Sequence, residues 1–345
     1  MPEAQADPTP PLVATEPFGT LALPADPLAR PPDALVLARV RELTRRANAA
    51  ATLRAYRTGW AQWRAYCAEH GHAPLSGRPE PVAFFLAHLS RTRRLATLRS
   101  RLAAIAAAHR VAGVELDTRH RFIRAVLRGL RREQSETPTR QAAPLLFEVL
   151  PRFLAVFDRR TPTGARDAAL LLIGFGAALR RAELVALDAG DVEPVAQGLV
   201  IRLRRSKTDQ AGRGQLLAIH RGTDPALCPV AALEAWLAFR GAIPAGAALF
   251  TRVRKGGRVT DVRLSDQTVS RIIKRGAAAL GIAGFSGHSL RAGLATSAAL
   301  AGADLAAIME QTRHRSATVA RSYIRNAEIW RNNVTARLFQ AKTEQ

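Results

Sequence analysis

The sequence predicts a mainly α-helical protein of two domains, with a small β-sheet or hairpin in the second. Three observations carry this. Apolar residues recur at three- and four-residue steps, as at Leu53, Tyr56, Trp60, Trp63 and Cys67, which is the period of a helix with one buried face. Strand-like alternation is read at Leu199, Ile201 and Leu203 and again at Leu217 and Ile219, with Gly212 and Gly214 between to turn the chain. A polar segment, residues 136–143, contains Pro138 and is followed by Pro144, so it reads as a linker between two cores. The chain, at 345 residues, is long enough for both.

Charge narrows the partner. Lys and Arg exceed Asp and Glu by 51 − 28 = 23. An excess of that size suits a polyanion, nucleic acid first, with a membrane surface as the competitor. No apolar run approaches the length of a spanning helix and no signal peptide heads the chain. Cys67 and Cys228 lie far apart without CxxC spacing, which fits a reducing compartment and offers no zinc site. The expectation is a cytoplasmic, nucleoid-associated protein that needs no metal or cofactor.

Residues 1–33 are Pro-rich and mildly acidic, with Arg30 the single basic residue; a disordered tail is predicted. Residues 34–135 read as a basic, all-helical domain. Its first helix ends at Gly71-His72-Ala73-Pro74. A short second helix covers 81–89. The third covers 91–109, with Leu95, Leu98, Leu102 and Ile105 inward and Arg94, Thr97 and Arg101 on another face. A fourth covers 117–132 and carries Arg121, Arg124, Arg128, Arg131 and Arg132. His70 and His72 invite a metal reading, but no third ligand follows at a suitable spacing, so a surface turn is read there.

The second domain, 144–345, opens with a helix over 165–187, followed by the hairpin. A helix over 228–240 surrounds Trp236. Another over 264–280 starts at a Ser265 cap and turns Val269, Ile272, Ile273 and Leu280 inward. Gln267, Ser270, Arg271 and Lys274 face the other way. Such side chains reach base edges and phosphates in a major groove. Trp330, Val334 and Leu338 form an apolar stripe on a final short helix.

The chemistry concentrates between Phe285 and Arg325. His288 and Arg291 stand at i and i+3, on one helical face. His314 follows, then Tyr323. A tyrosine is a nucleophile if a base or a lowered pKa activates it. An arginine fork fits phosphate oxygens two at a time, and histidines trade protons near neutral pH. Together they suggest attack of a tyrosine on a phosphodiester, with cations in place of a metal. Tyr56 and Tyr66 belong to an apolar helix and read as structural.

The His288-Ser289-Leu290-Arg291 motif, then His314, then Tyr323 nine residues later resemble the tyrosine recombinases of the phage integrase family, most closely the Cre-like branch. The resemblance covers residues 45–340. The segment Leu179-Arg180-Arg181-Ala182-Glu183 is similar to the family's first arginine motif, with Arg180 as catalytic arginine and Glu183 as its acidic buttress. Ala178 and Arg313 stand where the family usually has glycine. Lys207 matches the hairpin lysine. Only three other lysines occur, Lys255, Lys274 and Lys342, so a retained lysine fits a donor able to lose its proton.

The resemblance implies a two-domain C-shaped clamp on duplex DNA, acting as a homotetramer on two inverted-repeat sites and joined through its C-terminal helix. It implies that Tyr323 becomes linked to a 3′ phosphate, that His288 takes the tyrosine proton, and that Lys207 protonates the leaving 5′ oxygen. Arg180, Arg291 and His314 would hold the phosphate. Arg94, Thr97 and Arg101 would enter a groove from the first domain, and Gln267, Ser270, Arg271 and Lys274 from the second. Alternatives are a type IB topoisomerase, a non-cleaving architectural protein on the same fold, and a basic RNA-binding scaffold. The terminal stripe, the intact nucleophile and the few aromatic residues argue against them in turn.

Overall fold

The computed structural model describes residue 39 and residues 50–135, 142–204, 214–314 and 316–328. The chain divides into two compact units, residues 1–139 and 140–345. The acidic tail, Lys207, Gly212 and the stripe of Trp330, Val334 and Leu338 lie outside the described residues.

Four helices make the described part of the first unit: α1 (Ala50–Glu69), α2 (Pro79–Ser90), α3 (Leu95–Val111) and α4 (Arg121–Ser135). The stripe read from the sequence is their core. Trp63, Cys67, Phe85, Leu86, Leu98, Ile105 and Ile123 are all buried, and each large side chain so placed contributes about 1.5–3 kcal/mol. The Trp63 indole N–H donates to the Pro74 carbonyl at 2.9 Å, which pins the turn after α1. Two starts differ from the expectation. The third helix begins at Leu95 rather than Arg91, and the fourth at Arg121 rather than Asp117. Thr92 and Arg93 are spent closing α2 onto the Leu89 carbonyl. The free Leu95 N–H is instead capped from α4, by Gln134 Oε1 at 3.0 Å. Asp117 takes the Arg119 N–H at 2.8 Å in a turn that precedes α4.

The second unit begins with a 3₁₀ turn (Phe147–Val149) and α5 (Leu150–Leu154), and is built around α6 (Pro162–Gly176). Thr161 caps α6 by accepting the Gly164 N–H at 3.1 Å, and Pro162 supplies a preset first turn. Every residue from Gly164 to Phe175 is buried, the mark of a central helix. Its two charges are paired: Arg166 donates to Asp167 Oδ1, and Arg275 from α9 (Asp266–Ala279) holds the other carboxylate oxygen. At the end of α6, a Cβ on Gly174 would lie 2.8 Å from Leu184 and 2.9 Å from Leu290. One on Gly176 would lie 2.6 Å from Ile219. Small residues there let three neighbouring elements converge.

The helix expected over 165–187 is two helices. α6 stops at Gly176, and α7 (Arg181–Ala186) starts after a turn in which Ala178 takes φ +47°. The buried Leu179 and Leu184 span the break without a continuous helical face.

The sheet region is richer than the single hairpin expected. β1 (Val192–Val195), β2 (Gly198–Leu203) and β3 (Gln215–His220) form an antiparallel sheet in that order. Leu199 faces Ile219 and Ile201 faces Leu217, so the alternating apolar residues share its buried side. β4 (Thr251–Val253) and β5 (Val259–Arg263) form a second ribbon, turned by Gly256 and Gly257, both at positive φ. α8 (Pro229–Arg240) packs against α6, with the Trp236 N–H donated to Leu249 O at 2.8 Å. α9 buries Val269, Ile272 and Ile273 as expected; Leu280 just caps it, half-buried. α10 (Ser289–Leu300), α11 (Leu305–Thr312) and α12 (Ala317–Glu328) complete the described unit. No helix of the described residues is long and apolar enough to cross a membrane.

The segment before α5 lies directly on α10. Leu145 N–H donates to Ser289 O at 2.9 Å, and a Cβ on Gly293 would come within 1.9 Å of Leu145 O. Gly293→Ala must therefore push this backbone off the helix. It should cost about 1–3 kcal/mol, read as a lower denaturant midpoint. Gly246→Ala, which meets nothing within 4 Å, should stay within about 0.5 kcal/mol of the parent.

Candidate active site

Four pieces of the second unit meet at one place: the turn between α6 and α7, the start of α10, the end of α11, and α12. Arg180 sits at the cap of α7 in an extended conformation. The Glu183 carboxylate accepts its backbone N–H at 2.9 Å and its Nη1 at 2.5 Å. The adjacent Arg181 points elsewhere. It donates to Ser270 Oγ on α9 at 2.8 Å, and its stem fills the space beside Gly287.

His288 is the cap residue of α10 and Arg291 lies in its first turn. Arg291 is 1% exposed. Its Nη1 donates to Ala178 O at 3.0 Å and its Nε to His314 Nε2 at 3.3 Å. Its Nη2 is buried without a partner. An unsatisfied buried N–H on a guanidinium is expensive, and an anion would satisfy it. Burial, with Arg180 and Arg313 nearby, pulls its pKa to about 10, so it stays charged at neutral pH.

Tyr323 lies within α12. It leans on the apolar cluster of Ala295, Ala299 and Ile308, and Thr296 Oγ1 donates to its carbonyl at 3.1 Å. Burial raises the phenol pKa, opposed by Arg291. The tyrosine is therefore not ionised in advance and needs a base. His288 Nε2 lies 2.6 Å from the phenol oxygen. His288 is exposed as a residue, yet crowding by protein and then the charges of Arg291, Arg180 and Arg181 hold its pKa below the ordinary value. A neutral imidazole nitrogen at this distance accepts the phenol proton.

His314 stacks on Tyr323, ring centroids 5.5 Å apart and planes 13° apart. The buried Thr312 hydroxyl donates to Ile308 O at 2.6 Å, so toward His314 Nδ1, 2.8 Å away, it can only accept. This places the His314 proton on Nδ1 and leaves Nε2 as the acceptor that Arg291 needs. Burial first, then Arg291, Arg180, His288 and Arg313, lower its pKa to about 4. His314 is a neutral brace of Arg291 here.

Two non-glycine residues among those described have positive φ, Ala178 (+47°) and Arg313 (+56°). Both border this site. A left-handed residue with a Cβ costs about 1–2 kcal/mol, and such strain collects at functional sites. Arg313 and Thr312 were not singled out as site residues from the sequence. The available signal was an arginine at a helix end that favours glycine or asparagine.

Of the other candidates, Lys207 falls in the segment outside the described residues. Arg204, just after β2, pairs with Asp188 at 2.8 Å and Asp191 at 2.7 Å. Gln267, Arg271 and Lys274 are exposed on α9, whereas Ser270 is half-buried and engaged by Arg181. In the first unit Arg94 is exposed and Thr97 half-buried. Arg101 donates to Gln62 Oε1 at 2.7 Å.

Residues 144–328 match the phage integrase family. An integrase/recombinase XerD homolog of Selenomonas ruminantium is 34% identical over 302 residues, which is 84% of this chain and 85% of that one. Recombinase cre of Escherichia phage P1 is 25% identical over 286 residues, 77% and 81% of the two chains. Among solved structures, a XerH site-specific recombinase bound to palindromic difH substrate aligns with a TM-score of 0.60 at 17% identity, over 88% of this chain and 84% of that one; at that identity the likeness concerns the fold. The chain belongs to the phage integrase family and is a tyrosine-type site-specific recombinase.

Proposed function

We propose that Tyr323 attacks a DNA phosphodiester and is linked to the 3′ phosphate, with strands exchanged by a tetramer on two inverted-repeat sites. The observation that carries this is the 2.6 Å contact of Tyr323 with a neutral histidine, beside a buried arginine whose Nη2 lacks a partner.

The phenol oxygen bonds to phosphorus, its proton passes to His288, and the bond to the 5′ oxygen breaks. Lys207 supplies that oxygen's proton. The tyrosyl ester conserves the bond energy, so the reverse attack by another 5′ hydroxyl needs no ATP. Arg180 and Arg291 neutralise charge that grows on the non-bridging oxygens, in a low-dielectric site where this counts most. Glu183 aims Arg180. His314 braces Arg291 in the free protein; it becomes a phosphate donor only if a proton reaches Nε2 along with the added negative charge. Duplex contacts are assigned to Arg94, Thr97 and Arg101 and to Gln267, Arg271 and Lys274. Ser270 contributes once Arg181 releases it. The stripe of Trp330, Val334 and Leu338, apolar at helical spacing in the sequence, is assigned to the joining of neighbouring protomers.

Expression in cells, detergent denaturation and sequencing of protein-bound DNA test the reading. The parent should give adducts at one inverted-repeat site, and Tyr323→Phe none. Adducts in both, or adducts scattered over the genome, would overturn it. On a nicked duplex of the recovered sequence, His288→Gln should slow adduct formation by about 10²- to 10⁴-fold.

The pH dependence follows from the direction of the His288 shift. The base form exists above its pKa, and that pKa lies below the ordinary value of about 6.5. The midpoint of the acid-side decline in adduct rate should therefore lie below 6.5. A midpoint above 6.5 would remove His288 from the role of base.

A further inference from the structure

We infer that Arg313 is a positioning residue for strand cleavage, a guanidinium that sets the orientation of Arg180 and Arg291 without touching the substrate. This rests on the assignment of Tyr323 as nucleophile.

The backbone gives the first reason. Arg313 ends α11 in the left-handed conformation, φ 56°, ψ 43°, where glycine sits without strain. An arginine there is disfavoured unless its side chain returns something. That side chain turns inward and is 7% exposed as a residue, unusual for an arginine at a helix end.

Its partners give the second reason. Nη2 donates to Glu183 Oε2 and to Ala178 O, both at 3.0 Å. Nη1 donates to Ala177 O at 3.2 Å. Glu183 is the carboxylate that holds Arg180 through its Nη1 and backbone N–H. Ala178 O is the carbonyl that accepts from Arg291 Nη1. Arg313 thus shares one acceptor with each of the two arginines assigned to the phosphate, and is bonded directly to His314. The left-handed turn at Ala178 is tied from the far side by the left-handed residue Arg313. Without this fork the Glu183 carboxylate would be held by Arg180 alone. The Ala178 carbonyl would be held by Arg291 alone.

The test uses the full chain and a nicked duplex with the sequence recovered from the parent's adducts. The Tyr323→Phe comparison is made first, so failure of the nucleophile assignment is seen before Arg313 is tested. Arg313→Gly keeps the left-handed turn relaxed while it removes the fork. Its DNA Kd should stay within about threefold of the parent, and its single-turnover adduct rate at saturating DNA should fall about 10- to 100-fold, the scale of an ångström of misplacement. Arg313→Lys, which keeps the charge but cannot bridge two acceptors, should fall between. Combined with Glu183→Gln, the loss should not multiply, because both changes release the same brace. A parental rate in Arg313→Gly, or losses that multiply, would overturn the inference. If Arg313→Gly does not fold, Arg313→Lys decides alone: a slower rate at unchanged Kd supports it, and a parental rate overturns it.

Discussion

The buried carboxylate of Glu183 is the contact on which the site depends. Three guanidiniums, those of Arg180, Arg291 and Arg313, stand close enough that each of the others lowers the pKa of Arg291. Like charges in a poorly solvated place repel, and burying each costs several kcal/mol after relaxation. Glu183 offsets part of this by bonding two of the three. With both histidines neutral, the cluster keeps 3 − 1 = 2 positive charges. That surplus is destabilising in the free protein and complementary to a pentavalent phosphate carrying extra negative charge.

The histidines are neutral for the same reason. Burial first, and then the neighbouring cations, push both pKa values down. Neutrality serves each differently. His288 must have a free lone pair to take the Tyr323 proton. His314 must offer Nε2 to Arg291, and the Thr312 hydroxyl secures that by holding the opposite nitrogen's proton. One electrostatic environment thus yields a base and a brace, distinguished by what the second ring nitrogen meets.

The backbone is arranged to bring these side chains together. Glycines at 174 and 176 let α7, α10 and the three-stranded sheet approach the end of α6. The chain then reverses through left-handed Ala178, which frees its carbonyl for Arg291 and Arg313. Gln311 adds a cross-link, donating to Gly176 O at 2.7 Å and Ala218 O at 3.1 Å. The end of α11 is thereby registered against both α6 and the sheet.

Much of this was legible in the sequence. Apolar residues at helical spacing marked the core of the first unit, since a helix can bury only the stripe its period brings to one side. Strand alternation marked β2 and β3. His288, Arg291, His314 and Tyr323 were legible from their chemistry and order, and Arg180 and Glu183 through the resemblance of their segment to the family's first arginine motif. What local pattern could not reveal were features fixed by distant partners. The short strands β1, β4 and β5 gain their partners only from the assembled sheets. The break in the 165–187 segment depends on Ala178 accepting a strained φ that apolar spacing does not record. Ser270 and Arg101 look free in the sequence and are engaged by Arg181 and Gln62, 89 and 39 residues away. Arg313 stood out in the sequence only as a departure from the family's usual glycine; packing against residues some 130 positions earlier turns it inward. Composition and period are properties of neighbours along the chain, and they determined the elements and the reacting groups. Orientation, tautomer and charge balance are properties of neighbours in space, and only the tertiary structure decided them.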